Sequence, residues 1–169
     1  MLLIPIVHYL PSLRLNSLKR IIYNLAGHKL DRGVKIASSA KIIGAFTAFI
    51  GKNTFIGHET MIVGGNSDIY IGKNCDISSR VNLVMGSHEI AVESDRSAGI
   101  GFSKSIIIED GVWIGFGATV LPGVKIGKNS IIGAGSLVNK TIPPYTIAAG
   151  NPCKIIKQYN QTTGQWTSA

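Results

Sequence analysis

The sequence predicts an all-β solenoid, a parallel β-helix with short appendages at either end. Three observations carry that prediction. Branched aliphatic residues return every six positions, at Ile50, Ile56 and Ile62, at Ile71, Ile77 and Leu83, and from Ile108 through Ile114, Val120, Ile126 and Ile132 to Val138. Glycine follows the aliphatic residue at Gly51, Gly57, Gly72, Gly115, Gly127 and Gly133. A small residue stands two before it at Thr54, Thr60, Cys75, Ala118, Ser130 and Ser136. A period of six fits neither a helical turn nor a heptad, so a helix would smear these residues around its surface. Short strands joined by tight corners align them. The aliphatic side chain points inward, glycine permits a turn or a close backbone approach, and the small residue fits where the corner narrows. Three such hexads close one triangular coil, and stacked coils hydrogen-bond as parallel strands around a column of Ile, Val and Leu.

Residues 1–33 read as an N-terminal helical cap, because an open coil exposes strand edges and apolar faces. Its helix is expected over Ser12–Gly27, with Ser12 as N-cap, Leu15, Leu18, Ile22 and Leu25 on one apolar face, and Gly27 as the stop. Residues 34–142 form the β-helix, its register running from Val34 to Ile142. The spacing widens to eight between Ile42 and Ile50 and to nine between Ile62 and Ile71, which sets small bulges at corners. Between Leu83 and Ile108 it widens to twenty-five. Residues 86–105, GSHEIAVESDRSAGIGFSKS, are therefore expected to leave the coil as an extruded loop, and such insertions on repeat scaffolds carry function. Residues 143–169 form a C-terminal segment opened by Pro143 and Pro144, and the last ten, NQTTGQWTSA, read as a loosely held tail.

A chain of 169 residues with 45% hydrophobic and 15% charged content fits one folded domain and excludes disorder. Its two cysteines, Cys75 and Cys153, form no closely spaced pair, so neither a disulfide framework nor a structural zinc site is suggested, and a reducing compartment is the natural reading. The apolar start MLLIPIVHYLP is cut by Pro5 and Pro11 and has no basic n-region, so neither a signal peptide nor a membrane span is expected. The expected location is the cytoplasm. Arg14, Lys19, Arg20 and Lys29 also suit peripheral contact with anionic lipid at the inner membrane face, although capping of the first coil is the preferred role of their helix. The net charge of +8 is uneven: residues 111–169 carry five lysines and no acid, whereas residues 86–110 hold five acids against Arg96 and Lys104. Such basic ends suit either an anionic ligand or a solvated surface. Aromatic residues make up 7% of the chain and are not interleaved with Lys or Arg, which argues against a nucleic-acid stacking platform.

The motifs GSHE, VWIG, SLVNKTIPP and AAGNPCK occur in that order, and residues 34–157 resemble the hexapeptide-repeat acetyltransferases. The likeness is nearest to sugar O-acetyltransferases of the galactoside, maltose and colanic-acid type. The resemblance implies a left-handed β-helix, a homotrimer with active sites between subunits, acetyl-CoA as acyl donor, a sugar acceptor and no metal. His88 matches the histidine of the GSH motif and is the implied general base. Transfer from a thioester to a sugar hydroxyl requires such a base, because the alcohol scarcely ionises at neutral pH. The implied oxyanion donor is the backbone N–H of Phe116, a position where many relatives carry a small residue. The pantetheine arm is expected along Phe116 and Ala134, with Trp113 walling the pocket. The phosphates are expected at Lys140, Lys154 and Lys157, and Asn139 stands beside the first of these, where threonine is frequent. Relatives often have arginine at the last two lysine positions, and lysine keeps the charge without the bidentate fork. Asn66 and Asn82 fall on the acceptor side, and Glu89 is a candidate to orient His88.

An acyl-enzyme route would need Ser87 or Cys75 as nucleophile. Ser87 alternates with His88 along an extended strand, and Cys75 falls on a small-residue corner, so direct transfer is favoured. A tri-histidine zinc enzyme on the same scaffold is disfavoured, since the repeats contain only His58 and His88. N-acetylation of a nucleotide-linked amino sugar and acetylation of an antibiotic stand as alternatives to sugar O-acetylation.

Overall fold

The computed structural model describes residues 4–93 and 95–168. Three parallel sheets wrap the expected triangular core. Face one stacks Lys29–Leu30, Ala48–Ile50, Ile69–Ile71, Ile106–Ile108 and Lys125–Ile126. Face two stacks Lys35–Ile36, Phe55–Ile56, Asp76–Ile77, Trp113–Ile114, Ile131–Ile132 and Thr146–Ala149. Face three stacks Lys41–Ile43, Met61–Val63, Asn82–Val84, Thr119–Val120 and Leu137–Val138.

The hexad residues fall in vertical register: Ile50, Ile71, Ile108 and Ile126 on face one, Ile56, Ile77, Ile114 and Ile132 on face two, and Ile62, Leu83, Val120 and Val138 on face three. None is more than 3% exposed. The glycine after each aliphatic residue serves close approach: a Cβ on Gly115 would lie 2.6 Å from the backbone nitrogen of Ala134 in the next coil. Left-handed backbone falls elsewhere in the corner, at Gly111 and Gly117 and at Asn53, Asn74 and Asn129, residue types that tolerate it. The solenoid extends past both expected limits, opening at Lys29 instead of Val34 and continuing through Ala149 instead of ending at Ile142.

Two short helices close the N-terminal end, α1 over Ile4–Val7 and α2 over Asn16–Leu25. The latter corrects the expected cap in two respects. Its N-cap position is Leu15, in the left-handed region with no side-chain cap, while the Ser12 carbonyl instead accepts from Lys19 Nζ and the Ser38 N–H. The buried face holds Lys19 and Tyr23, and Leu15, Leu18 and Leu25 point outward, Leu25 with 71% exposure. The reason lies in the open coil beneath, whose carbonyls need donors more than its surface needs another leucine. The Lys19 stem lies buried and its ammonium donates to the Ile36 carbonyl at 3.0 Å. Burial holds its pKa below the ordinary lysine value and pushes the buried Tyr23 up to about 12. Lys19 is thus withdrawn from any lipid-facing role. Among the described residues no helix is long and apolar enough to cross a membrane.

The expected loose tail is also corrected. Lys154–Asn160 folds back antiparallel on Thr146–Ala149, and Gln165–Ser168 pairs antiparallel with it, extending face two to eight strands. The Tyr159 and Trp166 rings pack 5.2 Å apart across that last pair. The last parallel strand offers unpaired backbone groups, and the tail satisfies them. Residues 86–105, expected as a loop, form a hairpin of Gly86–Ile90 and Ala98–Ser103 that leaves the prism between faces three and one.

Candidate active site

His88 stands on the outgoing strand of the hairpin, opposite Gly101. Its Nδ1–H donates to the Gly99 carbonyl oxygen at 3.0 Å. A carbonyl can only accept, so the bond sets the proton on Nδ1 and leaves a lone pair on Nε2. The ring is exposed and lines an open cavity of about 350 Å³ together with Asn66, Ser87, Phe102 and Ser103.

The hairpin separates His88 from Glu89. The glutamate lines a different depression, with Ile90, Arg96 and Ile100, past an irregularity in the ladder between His88 and Ile90. The orienting group is therefore the Gly99 main chain, and among the described residues Glu89 makes no hydrogen bond to His88. Asn66 shares the His88 cavity. Asn82 lies on face three, its amide reaching the Thr119 hydroxyl at 3.5 Å, and does not line that cavity.

A second set of expected residues gathers on another edge, between faces two and three. Phe116 and Ala134 occupy equivalent corners of consecutive coils, joined by the Gly135 N–H donating to the Phe116 carbonyl at 2.8 Å. Among the described residues neither Phe116 N–H nor Ala134 N–H meets a backbone acceptor. Trp113 stands half exposed on face two just before this edge. Lys154 pairs with Ala149 above it, and Lys157 follows opposite Ile147. Asn139 and Lys140 are not brought to this group: they follow Leu137–Val138, on the far side of face three and on the same edge as the hairpin.

Two features escaped sequence reasoning. The Gly99 carbonyl carries no side-chain signal, since a main-chain acceptor becomes visible only once the hairpin register is known. Arg80 stands beside one expected site residue, with its guanidinium 2.7 Å from the Glu59 carboxylate and 5.7 Å from the centre of the Phe116 ring. Of the alternative nucleophiles, Cys75 is buried, its thiol donates to the Glu109 carbonyl at 3.1 Å, and burial pushes its pKa up, all of which oppose thiolate formation. Ser87 lines the His88 cavity, but among the described residues its hydroxyl makes no hydrogen bond to the imidazole. His28 is buried and accepts from the Ala48 N–H, and His58 meets the hydroxyls of Ser12 and Ser39.

Comparison with known proteins leads to one class, β-helical transferases built from hexapeptide repeats. The family model for bacterial transferase hexapeptides (six repeats) matches residues 105–140. The relative named "Putative lipopolysaccharide biosynthesis O-acetyl transferase WbbJ", from Escherichia coli K12, is 32% identical over 85% of this chain and 76% of its own length. The galactoside O-acetyltransferase of Lactococcus lactis is 36% identical over 69% of this chain, which spans 58% of that protein's length. Among solved structures, a maltose O-acetyltransferase from Clostridium difficile superposes with a TM-score of 0.74 and 28% identity, covering 94% of this chain and 83% of that one. The chain belongs to the hexapeptide-repeat transferase family.

Proposed function

We propose that this chain is an acetyl-CoA-dependent O-acetyltransferase acting on a hydroxyl of a sugar or surface-polysaccharide precursor. One observation carries the reading: the His88 imidazole has its Nδ1 proton engaged by the Gly99 carbonyl and its Nε2 lone pair free at an open cavity. Imidazole, with an ordinary pKa of about 6.5, is suited to take a proton from an alcohol near neutral pH. In the proposed step Nε2 accepts the hydroxyl proton while the hydroxyl oxygen bonds to the thioester carbonyl carbon. The resulting oxyanion is met by the Phe116 N–H, and its collapse expels the CoA sulfur, which recovers the proton from the imidazolium. No acyl-enzyme is required.

Donor and base occupy different edges of one prism, so a single chain does not bring them together. This supports the homotrimer with sites between subunits, the hairpin acting as an arm toward the neighbour. The free amides at Phe116 and Ala134 suit the pantetheine arm, and Lys154 above them suits a phosphate, with Lys157 further along and Lys140 offered from another edge. The acceptor's sugar would lie against His88 and Asn66. The proposed reaction belongs to the cytoplasm, and Arg14, Arg20 and Lys29 remain for contact with its membrane face. The test is release of free thiol from acetyl-CoA in the presence of sugars, nucleotide sugars and oligosaccharides. Acceptor-dependent release from a hydroxyl compound supports the reading, and release only with amino sugars would transfer it to N-acetylation.

A further inference from the structure

A cavity of about 530 Å³, larger than the one of about 350 Å³ that His88 lines, opens elsewhere in the chain. It lies one coil toward the N-terminus, on the same edge of the prism. The turn of residues 64–68 joins face three to face one and supplies Gly65 and Asn66 to the His88 cavity, while its last residue, Asp68, lines the larger one. The turn one coil earlier supplies Gly44 to Thr47 to the larger cavity. The two turns are bonded, the Ala45 N–H donating to the Gly65 carbonyl at 3.1 Å and the Thr47 N–H to Asp68 Oδ1 at 2.8 Å. Successive coils stack about 4.8 Å apart, so one turn's thickness divides the cavities.

The walls are chemically divided. Ile4, Ile42, Ile43, Ala45 and Phe46 make most of the lining apolar, and His28 and Asp68 supply its ionisable groups. His28 Nδ1 accepts from the Ala48 N–H at 3.2 Å, so the neutral ring carries its proton on Nε2. Burial holds the His28 pKa below the ordinary value, which keeps the ring neutral near pH 7. Asp68 Oδ2 has no partner among the described residues. An apolar hollow of this size with a few polar groups, the carboxylate sitting beside the partition, suits a ligand that is apolar along most of its length and hydroxylated where it meets His88.

We infer that this cavity is an acceptor subsite that takes the alkyl substituent of a glycoside whose sugar lies against His88, so that the acceptor is amphipathic. The inference rests on the O-acetyltransferase reading above. It is tested with n-alkyl glucosides and galactosides of increasing chain length. Each methylene buried in the hollow lowers KM about three- to fourfold, with kcat unchanged, until the chain fills it. Ala45→Trp fills the cavity from an exposed position outside the His88 cavity; it flattens the series and leaves turnover of the methyl glycoside unchanged. Transfer with the same KM along the whole series in the unaltered protein would overturn the subsite and leave the transferase reading standing. If no glycoside is acetylated, the transferase reading is the one in question, and binding of octyl glucoside below its micellar concentration decides the subsite by calorimetry. A loss of at least tenfold in Ala45→Trp upholds it, and equal affinity in the two proteins overturns it.

Discussion

His88 and Gly99 meet across the hairpin, the imidazole Nδ1–H donating to the glycine carbonyl oxygen at 3.0 Å. Two strands that leave the solenoid together thus hold one ring in one tautomer, and the ring is otherwise exposed. His88→Ala removes the proposed base without touching the buried column. The expected result is a loss of acetyl transfer of at least about 10²-fold, with acetyl-CoA still bound, measured by thiol release and by calorimetry. Retained turnover would return His88 to the class of solvated side chains.

Lys154 stands above the Phe116 and Ala134 corners, and Lys140 on the edge that bears the hairpin. Both are exposed, and among the described residues neither makes an ion pair. Lys154→Ala and Lys140→Ala should each weaken acetyl-CoA binding several-fold while shifting stability by less than about 0.5 kcal/mol, the usual range for surface substitutions. Lys154→Arg should tighten binding, because guanidinium meets phosphate with two parallel donors. Unchanged affinity in both alanine variants would remove the lysines from the cofactor site.

The column of hexads was legible because burial on a strand repeats with the coil: Ile50, Ile71, Ile108 and Ile126 stack where their six-residue spacing sets them. The position of His88, at the break in that repeat, was legible too. The N-terminal helix was misread because its leucines suggest an apolar face, whereas the carbonyls of Ser12, in the segment before the helix, and Ile36, in the first coil, draw in the Lys19 ammonium. The tail was misread because its polar composition does not reveal the unpaired strand edge that Lys154–Asn160 completes. Glu89 looked suited to orient His88 because the two are neighbours in sequence, yet the ladder is irregular between His88 and Ile90, Glu89 lines another depression, and the orienting oxygen is eleven residues away on a main-chain carbonyl.

Lys19 closes the first coil as a buried cation. Lys19→Met keeps the stem's packing and leaves the Ile36 and Ser12 carbonyls without that donor, at an expected cost of about 1–3 kcal/mol. For a chain of this size that lowers the melting temperature by roughly 2–4 °C per kcal/mol. Burial depresses the folded-state pKa of Lys19 below 10.5, so between the two values the unfolded chain binds more protons than the folded one. Stability from this group therefore rises with pH through that window, a rise the methionine variant lacks. Denaturant unfolding of both proteins from neutral to alkaline pH measures the difference.

Glu109 gives the opposite limb. Its Oε1 lies 2.7 Å from Lys125 Nζ, and its Oε2 accepts the Lys128 N–H at 2.8 Å, which ties the acidic exit of the hairpin to the next coil. The bonds from Lys125 and then Lys128 hold its carboxyl below the ordinary value of 4.5. In the folded chain it therefore stays ionised to lower pH than in the unfolded chain, and its contribution is fully present above 4.5 and lost as pH falls through the folded pKa. Glu109→Gln should melt below the unaltered protein at pH 7 and approach it at strongly acid pH. Because both partners are partly exposed, the gap should also shrink as salt is raised, so melting curves at low and high ionic strength form the second axis of the measurement. Curves that stay parallel across the whole acid range would mean that the carboxylate contributes nothing through its charge.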